Sequence, residues 1–123
     1  MKKTICTVTA ILSVFMTAAA VCAWNADGVI PGTDISYSEL AVSKDGVAVK
    51  LTNNSGSDAK VSLKLTFFNA DGNADGYALF GIRTIMAGTT VDVSRNYLTG
   101  KWRTCRNSPR IIFEKMTYEP IYD

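Results

Sequence analysis

The chain has 123 residues, room for one small domain, with 13 basic residues, 11 acidic residues, three cysteines and no histidine. The missing histidine excludes Ser-His-Asp and Cys-His catalytic arrangements and removes the commonest zinc ligand. The carboxylates are scattered, mostly in turns, so no paired acid-base site is indicated and we expect no enzyme.

Residues 1–23 have the pattern of a secretory signal peptide. Lys2 and Lys3 precede the uncharged apolar run 5–16, which is too short for a permanent membrane span. We therefore expect a secreted or periplasmic protein with one domain, residues 24–123, and no stable membrane span after cleavage. Both charges of the leader are lysines, so the processed chain has equal numbers of basic and acidic residues. Attraction to nucleic acid through net charge is not expected.

The cleavage position decides what becomes of the cysteines. Cuts after Ala20 and after Ala23 both satisfy the small-x-small rule. The first leaves Cys22 and Cys105 in an oxidising compartment, where a disulfide would join the N-terminus to the C-terminal third. The second leaves Cys105 alone, as a small buried hydrophobe. Acylation of Cys22 is a further alternative, which the bulky Val21 disfavours.

The first part of the processed chain predicts two strands. Residues 24–34 are rich in Gly, Pro and Asp and predict an irregular segment or a short edge strand, since Pro31 is incompatible with a central strand. Residues 35–43 predict a strand with a bulge near Glu39, where the apolar alternation slips. After an Asp-Gly turn, residues 47–52 alternate clearly and predict a second strand.

The strongest strand signal begins at Ala59. Successive side chains of a strand point to opposite faces, and alternate residues of this run are apolar. The run ends in a tight turn at residues 69–72, because Asn, Asp and Gly tolerate positive φ. The apolar face consists of Val61, Leu63, Leu65 and Phe67.

Three further strands are predicted, at residues 77–85 with a bulge or a close backbone approach at Gly81, at 89–98, and at 111–118 ended by Pro120. Residues 99–109 form the longest and least regular loop, and no stretch shows helical spacing. Six or seven short strands at intervals of about ten residues predict an all-β fold, an immunoglobulin-like antiparallel β-sandwich.

Three turn motifs carry a resemblance to a known family. An Asn-rich turn follows one strand, two aromatic residues and an Asn-x-x-Gly turn end the next, and an apolar-x-Gly turn leads into another. In this order they resemble the FxLYD-type immunoglobulin-like domains of bacterial secreted proteins, over about half of the processed chain. The resemblance implies a fold and an extracellular setting, with no catalytic residues. The chain lacks the family's usual Pro before Gly88 and differs in its Trp- and Cys-bearing loop. The matching residues are Asn53, Asn54 and Ser55; Phe67, Phe68, Asn69 and Gly72; Met86, Ala87 and Gly88.

The turn 71–76 matches D-x-N-x-D-G, the first half of an EF-hand calcium loop. Its oxygen ligands would come from Asp71, Asn73 and Asp75. The twelfth position holds Ile82 instead of the bidentate Glu, and no helix flanks the loop, so a plain hairpin turn is the competing interpretation. Calcium is the one cofactor for which the sequence gives any pattern.

The segment 101–110 combines an aromatic residue with four cations and no acid. Such a composition is typical of a binding surface for a protein or an anionic envelope component. In the competing interpretation Trp102 and Cys105 plug one end of the sandwich while the cations are solvated. The candidate ligand-binding residues are Lys101, Trp102, Arg103, Arg106 and Arg110.

The sequence thus favours a non-catalytic interaction module of the bacterial cell envelope. The alternative is a small calcium- or polyanion-binding secreted protein that uses the 71–76 turn or the 101–110 loop. A thiol-dependent activity at Cys105 is a third hypothesis, since Arg103 and Arg106 lie close by in the sequence and cations lower a thiol pKa.

Overall fold

The computed structural model describes residues 24–95 and 97–122, so the predicted signal peptide and Cys22 lie outside the described residues. Strands dominate this part of the chain, and one short helix interrupts them. The elements in chain order are β1 (Gly28–Val29), β2 (Ile35–Ser43), β3 (Gly46–Asn53), β4 (Asp58–Phe68), β5 (Ala74–Ile85), β6 (Thr90–Arg95), α1 (Trp102–Arg106) and β7 (Arg110–Ile121).

The strands form two antiparallel sheets, which confirms the predicted all-β sandwich. Sheet A has the order β1-β2-β3-β6, and sheet B has the order β5-β4-β7. The inward faces of β3 and β4 supply eight of the twenty buried hydrophobic residues of the described chain, as the alternation of their side chains predicts. These are Val47, Val49 and Leu51 on β3 and Ala59, Val61, Leu63, Leu65 and Phe67 on β4.

Both predicted bulges are present. Glu39 has a φ of 54°, and the β2–β3 register shifts between Ser38 and Ala41. In sheet B, Leu63 pairs with Phe80 but Val61 pairs with Arg83, so β5 carries one extra residue beside Gly81. A bulge inserts one residue into one strand of a pair and bends that strand.

Several predicted element bounds were wrong. β7 runs through Pro120 to Ile121, because an edge strand tolerates a residue without an N–H. β5 begins at Ala74, three residues earlier than predicted, and β6 covers only Thr90–Arg95. The loop 99–109 contains α1, which the sequence pattern did not indicate.

The Asn-rich turn ties the two sheets together through one buried amide. The Asn53 side chain donates to the carbonyl oxygens of Ser57 at 2.8 Å and Ile85 at 2.9 Å. Its own oxygen accepts hydrogen bonds from the backbone N–H and the hydroxyl of Ser55. All the polar capacity of this amide is therefore used, which explains how a fully buried Asn is tolerated at the end of β3.

Candidate functional site

The segment that precedes α1 is fixed to the beginning of β5 by backbone contacts. The Tyr77 N–H donates to the Thr99 carbonyl at 3.1 Å, and the Thr99 N–H donates back to the Tyr77 carbonyl at 3.0 Å. A Cβ added at Gly76 would overlap the Thr99 carbonyl oxygen, and one at Gly100 would lie 2.5 Å from the Asp75 carbonyl oxygen. Glycine at both positions therefore allows two backbone segments to touch, which sets where α1 begins.

Cys105 anchors α1 to the same point of sheet B. Its side chain is fully buried, and its Sγ lies 2.9 Å from where a Cβ at Gly76 would be. Burial, with a smaller contribution from the carboxylate of Asp75, raises the pKa of the Cys105 thiol to about 11. Thiol catalysis needs the opposite shift together with exposure, so this environment argues against the thiol-dependent hypothesis.

The C-terminal end of α1 is closed by the residues that follow it. The Asn107 side chain donates to the Arg103 carbonyl at 2.9 Å, and the Ser108 hydroxyl donates to the Thr104 carbonyl at 3.2 Å. Carbonyls at a helix end need such partners. The N-terminal end has Lys101 as its cap and no side-chain capping bond. The missing N-cap signal explains why the sequence did not predict this helix, whereas Asn107 and Ser108 could have indicated its end.

Trp102 has two roles in the structure. It is half-buried and packs against the hydrophobic core, as the plug interpretation requires. The guanidinium carbons of Arg103 and Arg106 lie 4.7 and 5.1 Å from the centroid of its ring. Cations in this position are attracted by the ring quadrupole. The ring therefore packs on the core and also holds two exposed guanidinium groups at the surface.

The remaining candidate cations lie nearby. Lys101 is exposed and contributes to a shallow cleft of about 340 Å³ that residues 100–104 line. The Arg110 guanidinium lies 4.9 Å from the centroid of the Phe68 ring, and these two residues are partners in the β4–β7 ladder. The structure thus brings the predicted binding residues to the end of the sandwich where β4 ends, β7 begins and α1 packs against β2 and β5.

A fifth cation on this side was not predicted from the sequence. Lys64 is on the outer face of β4, between the buried Leu63 and Leu65, and its Nζ lies 5.1 Å from the centroid of the Tyr77 ring. Lys64 and Tyr77 are thirteen positions apart in the chain, so only the β4–β5 register brings them together. Alternation within a single strand cannot show such a pairing.

The cations of this end have no acidic partners. Among the described side chains, Lys50 on sheet A forms ion pairs with Glu39 and Asp92, and no cation of residues 101–110 does so. Asp75 lies near Cys105, and its carboxylate accepts a hydrogen bond from the Asn69 amide at 3.3 Å, whereas Glu114 is in register with Lys64. Neither carboxylate forms an ion pair in the described chain, so the positive charge at the basic segment is not neutralised.

The 71–76 turn is organised by Asn69. The oxygen of the Asn69 side chain accepts hydrogen bonds from the backbone N–H groups of Asp71 at 2.9 Å and Asn73 at 3.0 Å. Asp75 already belongs to β5, and the side chains of Asp71 and Asn73 are exposed. The described residues contain no cluster of three or more His, Cys, Asp or Glu side chains. These bonds are those of a hairpin turn, and the calcium site at these residues stays a prediction.

Both edges of sheet B are protected against a further strand. β5 and β7 each carry a bulge, beside Gly81 and at Met116 respectively. Arg83 pairs with the buried Val61 and Lys115 pairs with the buried Leu63, so each edge also places a cation on the core-facing side. Bulges and inward-pointing charges are known defences against edge-to-edge pairing. The outer face and the basic segment are therefore the better candidates for binding.

The predicted disulfide involves a residue outside the described part of the chain. The disulfide between Cys22 and Cys105 stays a prediction because Cys22 lies outside the described residues. In residues 24–95 and 97–122 no helix has the length and hydropathy needed to cross a bilayer.

Comparison with known proteins gives no match for this chain among family models, curated proteins or solved structures. The resemblance to FxLYD-type domains stays an expectation from the sequence.

Proposed function

We propose that this protein is a non-catalytic interaction module of the bacterial cell envelope that binds an anionic component through residues 101–110. The observation that carries the proposal is the pair of guanidinium groups on the Trp102 ring, which have no acidic partner in the described chain. Cations held in place before binding lose little freedom when an anion arrives. The predicted leader supports the envelope setting, because it would direct the chain out of the cytoplasm.

The location of the charge supports a specific surface. The processed chain has equal numbers of acidic and basic residues, so net charge gives no general attraction to anions. Four of its cations nevertheless fall within ten consecutive residues, and α1, which packs against β2 and β5, holds the middle of that segment in place. Guanidinium groups also match the geometry of carboxylate and phosphate oxygens and can bind them with two parallel hydrogen bonds.

The test compares how strongly the processed protein is retained on a matrix that carries carboxylates and on the same matrix without charged groups. The double variant Arg103→Gln and Arg106→Gln removes both charges and keeps the backbone carbonyls that close α1. Lys50→Gln is the matched control, since it removes a cation that acids already neutralise on sheet A. We expect the double variant to elute at lower salt and Lys50→Gln to elute with the wild type. Elution of all three proteins at the same salt concentration would overturn the proposal.

A further inference from the structure

The cations that stack on aromatic rings in the described chain belong to β4, to α1 and to the first residue of β7, around the end of sheet B where β4 ends and β7 begins. The rings belong to Tyr77, Phe68 and Trp102, on β5, β4 and α1. The side chains that share this surface, here called the cationic strip, are the cations Lys64, Lys101, Arg103, Arg106 and Arg110 with the rings of Phe68, Tyr77 and Trp102.

Two links join α1 to the outer face of sheet B. Thr99, two residues before Lys101, pairs with Tyr77, and Arg110, four residues after the end of α1, lies over Phe68. Phe68 and Lys64 lie four residues apart on the same outer face of β4, a span of about 13 Å at the usual rise per residue. A single carboxylate or phosphate group cannot bridge that distance, whereas a chain carrying several such groups can.

We propose that the cationic strip is the binding site of a linear acidic polysaccharide, whose carboxylate or phosphate groups contact α1 and Lys64 at the same time. The inference rests on the proposed function and adds to it a second contact point on sheet B and a ligand class. Each exposed ionic contact is weak alone, and a polymer that makes several of them together gains affinity through effective concentration.

The structure favours a polysaccharide over a protein partner. An extended peptide usually joins a sheet by pairing with its edge, and both edges of sheet B carry a bulge and an inward-pointing cation. A folded protein partner is usually held by aromatic anchors with open faces. Here cations already lie over the rings of the strip, so the groups left to contact a ligand are mainly N–H donors with positive charge.

The experiment compares polymers of different length and charge by calorimetry with the processed wild-type protein. The probes are long polygalacturonate, its trimer, phosphorylated dextran, neutral dextran and poly-L-glutamate. We expect binding to a long charged polysaccharide, weaker binding to the trimer and none to neutral dextran. Polygalacturonate carries carboxylates and phosphorylated dextran carries phosphates, so the one that binds more tightly identifies the anionic group that the site prefers. Equal or tighter binding to poly-L-glutamate would overturn the polysaccharide assignment in favour of an acidic protein.

Two single variants locate the second contact point. Lys64→Gln should weaken binding of the long polymer about two- to fivefold, the value of one exposed ionic contact. It should leave trimer binding unchanged. Lys60→Gln is the matched control, because Lys60 lies on the same face of β4, four residues further from α1. If Lys64→Gln binds the long polymer as the wild type does while Arg103→Gln with Arg106→Gln binds it more weakly, the contact at Lys64 is wrong and the proposed function stands. If neither change weakens binding, the contact at Lys64 and the proposed function are both wrong.

Discussion

The outer faces of the two sheets hold their cations in different ways. On sheet A, Lys50 lies 3.7 Å from Glu39 and 3.9 Å from Asp92, beside a groove of about 210 Å³ that these residues help to line. On the sheet B side, Lys64 and Arg110 lie over Tyr77 and Phe68. An acid neutralises the charge that it holds, whereas an aromatic ring positions a cation and leaves its charge available.

The kind of partner that each cation has therefore matters more than the number of charges on a face. Sheet A has the geometry of an ordinary solvated surface, where exposed ion pairs contribute little to stability. The cationic strip on sheet B has cations that neighbouring rings constrain before any ligand is present. Preorganisation of this kind raises affinity, because less side-chain freedom is lost on binding.

The largest expected effect comes from removing the support of the strip. Gly76→Ala would place a methyl group on the Thr99 carbonyl and against the Cys105 Sγ, so α1 must move away from β5. We expect a loss of about 3 kcal/mol in the free energy of unfolding, measured by urea denaturation, since backbone cannot give way as a flexible side chain can. Gly56→Ala is the control, because nothing lies within 4 Å of its added Cβ. Equal stability of Gly76→Ala and the wild type would contradict the close packing of Thr99 and Cys105 against Gly76.

The next prediction separates the contribution of charge to binding from the contribution of preorganisation. Trp102→Leu keeps Arg103 and Arg106 but removes the ring that positions them. We expect polygalacturonate affinity to fall about five- to thirtyfold, as for the loss of two surface cation–π contacts. The salt dependence of binding should stay the same, because the number of cations is unchanged. Calorimetry at three salt concentrations measures both quantities. Unchanged affinity would show that the ring has no part in arranging the guanidinium groups.

A pH titration tests the burial of Cys105, which joins the strip to the core. The pKa of this thiol is about 11 in the folded protein, against an ordinary value of 9.0. The raised pKa means that the neutral thiol is favoured by folding. Its contribution to stability is therefore complete below about pH 9 and is lost as the pH rises towards 11.

The measurement is the melting temperature between pH 8 and pH 11 for the wild type and for Cys105→Ala. We expect the wild type to lose more stability over this range than the variant does. Parallel curves would show that the thiol is not buried as described, or that it is bonded to another cysteine.

The smallest effect belongs to sheet A. Lys50→Gln should change the free energy of unfolding by less than about 1 kcal/mol, since both of its ion pairs are solvent-exposed. Thermal melts in low and high salt measure the change, and salt should reduce it. A change well above 1 kcal/mol would mean that the stability of sheet A depends on these ion pairs and that its outer face is not an ordinary solvated surface.

The parts of the fold that depend on short-range sequence patterns were predictable. Alternation placed Val61, Leu63 and Leu65 on one face, and turn residues marked where β4 ends, because both signals are local in the chain. The bulges at Glu39 and Gly81 were also visible as a slipped alternation and as a glycine within a strand.

The candidate site was only half predictable. The basic segment 101–110 is contiguous, so composition alone indicated it. The position of Lys64 over Tyr77 depends on the β4–β5 register, and α1 lacks an N-cap signal. The extension through Pro120 was missed because the pattern does not show that β7 is an edge strand.

The most direct test of the central claim is the salt dependence of polygalacturonate binding by three proteins. These are the wild type, Arg103→Gln with Arg106→Gln, and Lys50→Gln. Each cation that contacts a polyanion releases bound counterions, so the slope of log affinity against log salt counts the contacts. We expect the slope of the double variant to be smaller than that of the wild type by the amount that about two contacts contribute. The slope of Lys50→Gln should equal that of the wild type. Equal slopes in all three proteins would contradict the claim that Arg103 and Arg106 of the cationic strip are available to a ligand and Lys50 of sheet A is not.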